Sequence, residues 1–164
     1  MKKKLSLLVL STCFLATLNL SANESYTMNF DRDTKGLLRK LPVYKDPAWV
    51  CKIVRKDSKE FYFTSPKSLM EFYYNPEKRP EAKIVDNNDI KDIVVTDYKT
   101  LNAINAKYAF YVYGSHKISQ AGDDLPAFKN INDAKKFMEN NNGRRILTFN
   151  ELKHSLIQLL NGDI

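Results

Sequence analysis

Phe63-Thr64-Ser65-Pro66-Lys67-Ser68-Leu69-Met70-Glu71-Phe72 has a twin farther along the chain, Phe128-Lys129-Asn130-Ile131-Asn132-Asp133-Ala134-Lys135-Lys136-Phe137. Both stretches read as the end of a strand running into a capped helix. Ser65 and Asn130 have short polar side chains that take up a free backbone N–H at a helix start. Pro66 suits the first turn, where its missing N–H costs nothing. Asp133 in the first turn of the second helix is favoured by the helix dipole. Leu69, Phe72 and Tyr73 fall at helical spacing in the first copy, and Ala134, Phe137 and Met138 in the second, so each helix has one apolar face.

The flanks repeat too. Residues 47–55 (PAWVCKIVR) and 60–64 (EFYFT) read as a hairpin around a polar turn, with Trp49, Cys51 and Ile53 on one face by period two. Residues 93–98 form the strand after the first helix. Residues 107–113 (KYAFYVY) open the second unit, a long polar loop covers 114–124, and residues 125–129 and 145–149 are its remaining strands. Asn150 is placed as the cap of a terminal helix with Leu152, Leu156, Leu159 and Leu160 on one side. One such unit has too small a core to stand alone, so two pack together. The expected class is α+β: two repeated ββαβ units with antiparallel hairpins, plus a C-terminal helix. The units span 41–100 and 101–164, and residues 23–40, polar and without apolar period, read as a flexible lead.

The start of the chain reads as an address. Lys2, Lys3 and Lys4 precede an apolar run from residue 5 to 20, and Ser21-Ala22 offers a small-residue cleavage site. This is a secretory signal peptide over 1–22, pointing to the periplasm. Leu10-Ser11-Thr12-Cys13 is similar to a lipoprotein cleavage box, so a membrane-anchored form lipidated at Cys13 is the alternative. Losing residues 1–22 removes three lysines and no acid, and the formal charge falls from +7 to +4. Acids and bases alternate without an Arg-rich stripe, which argues against a nucleic-acid partner. Cys51 is then the one remaining cysteine, and an internal disulfide is excluded.

Residues 41–152 resemble the NosL family, the periplasmic copper-handling accessory proteins of nitrous oxide reductase. The resemblance rests on the order and spacing of Lys45-x-Pro47-x-Trp49, the 63–73 strand-to-helix segment, Val95-Thr96-Asp97-Tyr98, Ala106, Ala109, Tyr111-Val112, Gly114-Ser115, Gly122, Leu125, Phe128, Ala134 and Phe137. It implies two ββαβ units, copper(I) as cargo, and a copper enzyme or other periplasmic protein as partner. Two departures stand out. The family's Cys-Gly-Met-like element before the Trp is replaced by Arg39-Lys40-Leu41-Pro42. Its Gly-Pro-Met-Gly turn is replaced by Ser119-Gln120-Ala121-Gly122.

Any copper site must therefore use other donors. Cu(I) takes thiolate, thioether and imidazole ligands. Cys51 is a candidate ligand or a small buried hydrophobe. His116, in the long loop near the missing methionine, is a candidate ligand or a solvated loop residue. Met28, in the lead, is a candidate that swings over a site or an unordered side chain. Met70 and Met138 read as helix-face packing and His154 as a surface residue. Asp123-Asp124 reads as a hard-cation pair or a solvated turn. No HExxH, GxSxG, phosphate loop or Cys–His pair points to an enzyme. Two functions follow: Cu(I) binding and delivery, or a metal-free interaction module on the same scaffold.

Overall fold

The structure, a computed structural model, describes residues 25–164. The expected signal peptide and Cys13 lie outside the described residues. The chain folds into two antiparallel sheets that follow one plan. In the first unit, β1 (Cys51–Arg55) is flanked by β2 (Glu60–Phe63) and β3 (Ile90–Thr96). Helix α1 (Pro66–Tyr74) makes the crossover, and β4 (Ala103–Asn105) extends the sheet to the order β2-β1-β3-β4. In the second unit, β5 (Phe110–Tyr113) lies between β6 (Ala127–Phe128) and β7 (Arg145–Thr148), with α2 (Ile131–Asn140) as crossover. The expected ββαβ repeat is therefore present in strand order as well as in sequence. Helix α3 (His154–Asn161) closes the chain.

The helix starts follow their caps. Ser65 Oγ accepts the Ser68 N–H at 3.0 Å, and Asn130 Oδ1 accepts the Asn132 N–H at 2.8 Å. The repeated aromatic pair recurs in space: Phe63 and Phe72 lie 5.5 Å apart between ring centroids, Phe128 and Phe137 5.0 Å. One face of the first sheet presents Cys51, Ile53, Phe61, Phe63, Ile93, Val95 and Ile104 to the core. That core continues without a break into Tyr111, Leu125, Ala127, Leu147 and Leu152 of the second unit. A parallel bridge between Asp97 and Ala127 joins the sheets, with the Tyr98 N–H donating to the Ala127 carbonyl at 2.8 Å.

The other face of the first sheet has a cover. Tyr62, Lys52, Val94 and Asn105 are successive cross-strand partners and share this face. Tyr26 OH accepts a hydrogen bond from the Asn105 amide at 2.8 Å, on β4. The Asn29 carbonyl accepts one from Tyr62 OH, on β2, and Phe30 packs edge-on against the Tyr62 ring at 6.3 Å. The lead expected to be flexible therefore crosses the sheet from one edge strand to the other. Beneath it Val94 is 1% and Lys52 3% exposed.

Several sequence readings need correction. Trp49 is not on the strand: Pro47–Trp49 is a 3-10 turn favoured by Pro47, and the indole packs edge-on against Tyr98 at 5.5 Å. Asn150 does not cap α3. Thr148 and Glu151 instead form a capping box around the turn Phe149–Glu151, and the helix begins at His154. That shift turns Ile157 inward and leaves Leu159 52% exposed. Strand β4 has no counterpart in the sequence reading. Among the described residues no helix is long and apolar enough to cross a membrane.

Candidate functional site

Residues 39–42 and 119–122, the two departures noted in the sequence, meet in space. Gln120 sits at the seam: its side-chain amide donates to the Pro42 carbonyl at 2.8 Å, and its backbone N–H donates to Asp46 Oδ2 at 3.0 Å. Both segments bend sharply there. Lys40 (φ 57°) and Leu125 (φ 75°) adopt the left-handed conformation that side chains resist. Leu125 tolerates it because the side chain is fully buried in the shared core.

Asp123 anchors the loop. It is 3% exposed, and its Oδ1 lies 3.0 Å from Lys67 Nζ. Ser65 Oγ donates to Asp123 Oδ2 at 2.7 Å, so the hydroxyl that caps α1 also binds the second unit. Arg39 Nη2 stands 3.8 Å from Asp123 and donates to Glu71 Oε2 at 2.7 Å. Ser119 closes the turn through its hydroxyl, which accepts from the Ala121 and Asp123 N–H groups. Gly122 (φ 76°) supplies the left-handed residue this turn needs. Neither sequence reading of the acidic pair fits. The Lys67 ammonium and Arg39 guanidinium that face Asp123 repel a further cation, and a carboxylate buried this deeply is no solvated turn. Asp124 ties the two ends of the loop together: Oδ2 accepts the Gly114 N–H at 2.6 Å. Burial pushes its carboxyl up, opposed by hydrogen bonds from Gly114, Leu125 and Ser115.

The candidate ligands are dispersed. Cys51 is fully buried, and its thiol donates to the Trp49 carbonyl at 3.3 Å. Burial raises the thiol well above its ordinary pKa, which disfavours the thiolate that binds metal. His116 is exposed on the loop, with its backbone N–H on the Asn141 carbonyl at 3.1 Å. Met28 is half-buried in the strap over the first sheet. Met70 is buried at 2% exposure, and Met138 packs beside Gly143 and Val112. His154 stacks on Tyr74 at 5.0 Å between α1 and α3. Among the described residues no three His, Cys, Asp or Glu side chains converge as a metal cluster. The geometry thus separates Cys51 from His116. The polar anchor at Asp123 was missed in the sequence. Its one legible signal was Lys67 at the start of an apolar helix face.

Comparison with known proteins places this geometry in context. The NosL family model matches residues 27–157. Among solved structures the chain is similar to the copper chaperone NosL from Shewanella denitrificans, at 21% identity and a TM-score of 0.68. That match covers 80% of this chain and 98% of the other. No curated protein matches the chain significantly in sequence.

Proposed function

Since the chain belongs to the NosL family, we propose that it is an exported accessory protein that carries Cu(I) and hands it to a copper enzyme during assembly. Nitrous oxide reductase is the enzyme the family resemblance implies. The match across residues 27–157 carries this reading. The likeness to a protein described as a copper chaperone supports it. Export rests on the signal over residues 1–22, with lipidation at Cys13 as the anchored variant.

Of the three candidate ligands His116 is exposed, Met28 half-buried and Cys51 fully buried, which supports His116 and Met28 as the first donors. Cu(I) is satisfied by few soft ligands, so a site completed by a donor from the partner suits hand-over by ligand exchange. The test is a competition titration of the mature protein against a Cu(I) chelator. His116→Ala weakens binding about tenfold or more, as expected for losing one of few ligands, whereas Cys51→Ala leaves it unchanged. Wild-type binding no tighter than that of a His116→Ala, Met28→Leu double variant would end the copper reading.

A second reading is a metal-free interaction module. One observation favours it: the place of the family's turn sulfur is filled by a loop anchored through Asp123, Lys67 and Ser65. In that case the scaffold is held by ion pairing, and a partner is retained equally with and without copper.

A further inference from the structure

The seam between the two rewritten segments also carries an exposed surface. Gln120 stitches the 114–122 loop to residues 42–46, so the side chains on either side of it lie at one end of the molecule. Ile118 is 60% exposed, Tyr44 38% and Leu41 36%. Lys40, Lys45 and Lys117, the chain neighbours of Leu41, Tyr44 and Ile118, are exposed, and the Arg32 guanidinium sits 5.8 Å above the Tyr44 ring. The carboxylates of the stitched segments are engaged inward, whereas Asp31 and Asp33, beside Arg32, are exposed. Asp46 receives the Gln120 N–H, Asp123 faces Lys67 and Ser65, and Asp124 receives the Gly114 N–H. Of the three lysines, Lys40 has an acidic neighbour, Glu81 at 3.8 Å, on a pair that is more than half exposed on both sides.

We propose that this end is a docking surface for an acidic patch on a partner protein, with Ile118, Tyr44 and Leu41 filling an apolar centre inside a rim of lysines. An apolar centre within a charged rim is the anatomy of a protein interface, and the excess of exposed basic over exposed acidic side chains selects the partner. A protein fits better than an anionic bilayer. Tyr44 and Leu41 are more than half covered and stitched into place, whereas a bilayer favours side chains that project freely. The proposal takes from the functional reading only that a protein partner exists; it does not need copper.

The experiment places the photo-crosslinker p-benzoylphenylalanine at Ile118, and at the exposed but separate Val85 as control, in the full chain in its native cells. Irradiation is done with copper supplied and with copper chelated. The expected result, in either condition, is an Ile118 crosslink about tenfold stronger than that from Val85, mapped by mass spectrometry to an acidic segment of one protein. Reversing the rim (Lys40→Glu, Lys45→Glu, Lys117→Glu) in a variant with unchanged melting temperature lowers the yield about tenfold, since rim charges steer association. Equal yields from the two sites, a crosslink indifferent to charge reversal, or none in either condition overturns the proposal. So does Ile118-dependent flotation with phosphatidylglycerol–phosphatidylethanolamine vesicles in place of a protein crosslink. Failure of the chelator titration leaves these outcomes untouched.

Discussion

Lys52 carries a charge where water barely reaches, at 3% exposure on the strap-covered face of β1. Its ammonium lies 2.5 Å from Glu60 Oε1 and 5.9 Å from the centre of the Tyr62 ring. Desolvation pushes the Glu60 carboxyl up, but hydrogen bonds from Lys52 and Tyr62 outweigh it, so Glu60 titrates below its ordinary value of 4.5. A depressed carboxylate contributes stability that is present above its unfolded pKa and lost as pH falls through the folded one. This contribution is therefore held at neutral pH and is lost progressively as pH falls from 4.5 through the lower folded value. Glu60→Gln is expected to destabilise the protein by about 1–2 kcal/mol at pH 7, less than a fully buried pair because Glu60 is partly exposed. Urea unfolding at pH 7 and pH 3.5 checks it: the difference from wild type narrows at the lower pH. The same residue shows where sequence reading stops. Period two put Cys51 and Ile53 on one face, and the structure makes that face the core side. It says nothing of what lies over Lys52, because the cover comes from residues 26–30, far away in the chain. Cys51 was legible as a small buried residue, and that is where the structure places it.

At the scale of elements, α1 shows how one residue serves two ends. Ser65 caps the helix and binds Asp123, so the helix start and the 114–124 loop are fastened together. Ser65→Ala loses the cap and a buried hydrogen bond, and a cost of about 2 kcal/mol is expected. Asp123→Asn leaves Lys67 buried without its counter-charge and costs about 3 kcal/mol. The two losses overlap at one contact, so the double variant is expected to cost clearly less than the sum. A thermal-unfolding double-mutant cycle measures this, and strict additivity would break the claim that they share a fastening. Helices α1 and α2, their caps and the β1–β2 hairpin were readable because neighbouring residues determine them. Trp49 and α3 were misplaced because apolar content alone does not reveal a Pro-led turn or the Thr148–Glu151 box. The Asp123 anchor left only Lys67 as a trace for a different reason: acid and base sit on different units, and only the packing of those units brings them together.

The molecule as a whole is two copies of one plan that share a main core, with a smaller cluster of Val112, Phe128 and Ala134 beside it. The core passes from Cys51 and Ile53 through Tyr111 and Leu147 to Ile157 without an intervening polar layer. Neither unit is therefore expected to fold alone. Trp49, the single tryptophan, packs on Tyr98 beside the bridge to the second sheet and reports on that junction. Its fluorescence and far-UV circular dichroism are expected to give coincident urea transitions. A separate early loss of the Trp49 signal would mean that the units come apart first. The repeat boundary at Leu41 marks where the recurring pattern begins, but the body of the protein starts earlier.

The strap has a practical consequence for anyone producing the protein. Trimming to Leu41, as the repeat alone would suggest, strips the cover from Val94 and Lys52 and leaves β2 and β4 without the segment that links them. The product would offer a wet, half-apolar sheet face to every neighbouring copy, an invitation to precipitate. Residues 25–30 are best treated as the outermost layer of the fold, and affinity tags are better placed beyond Ile164.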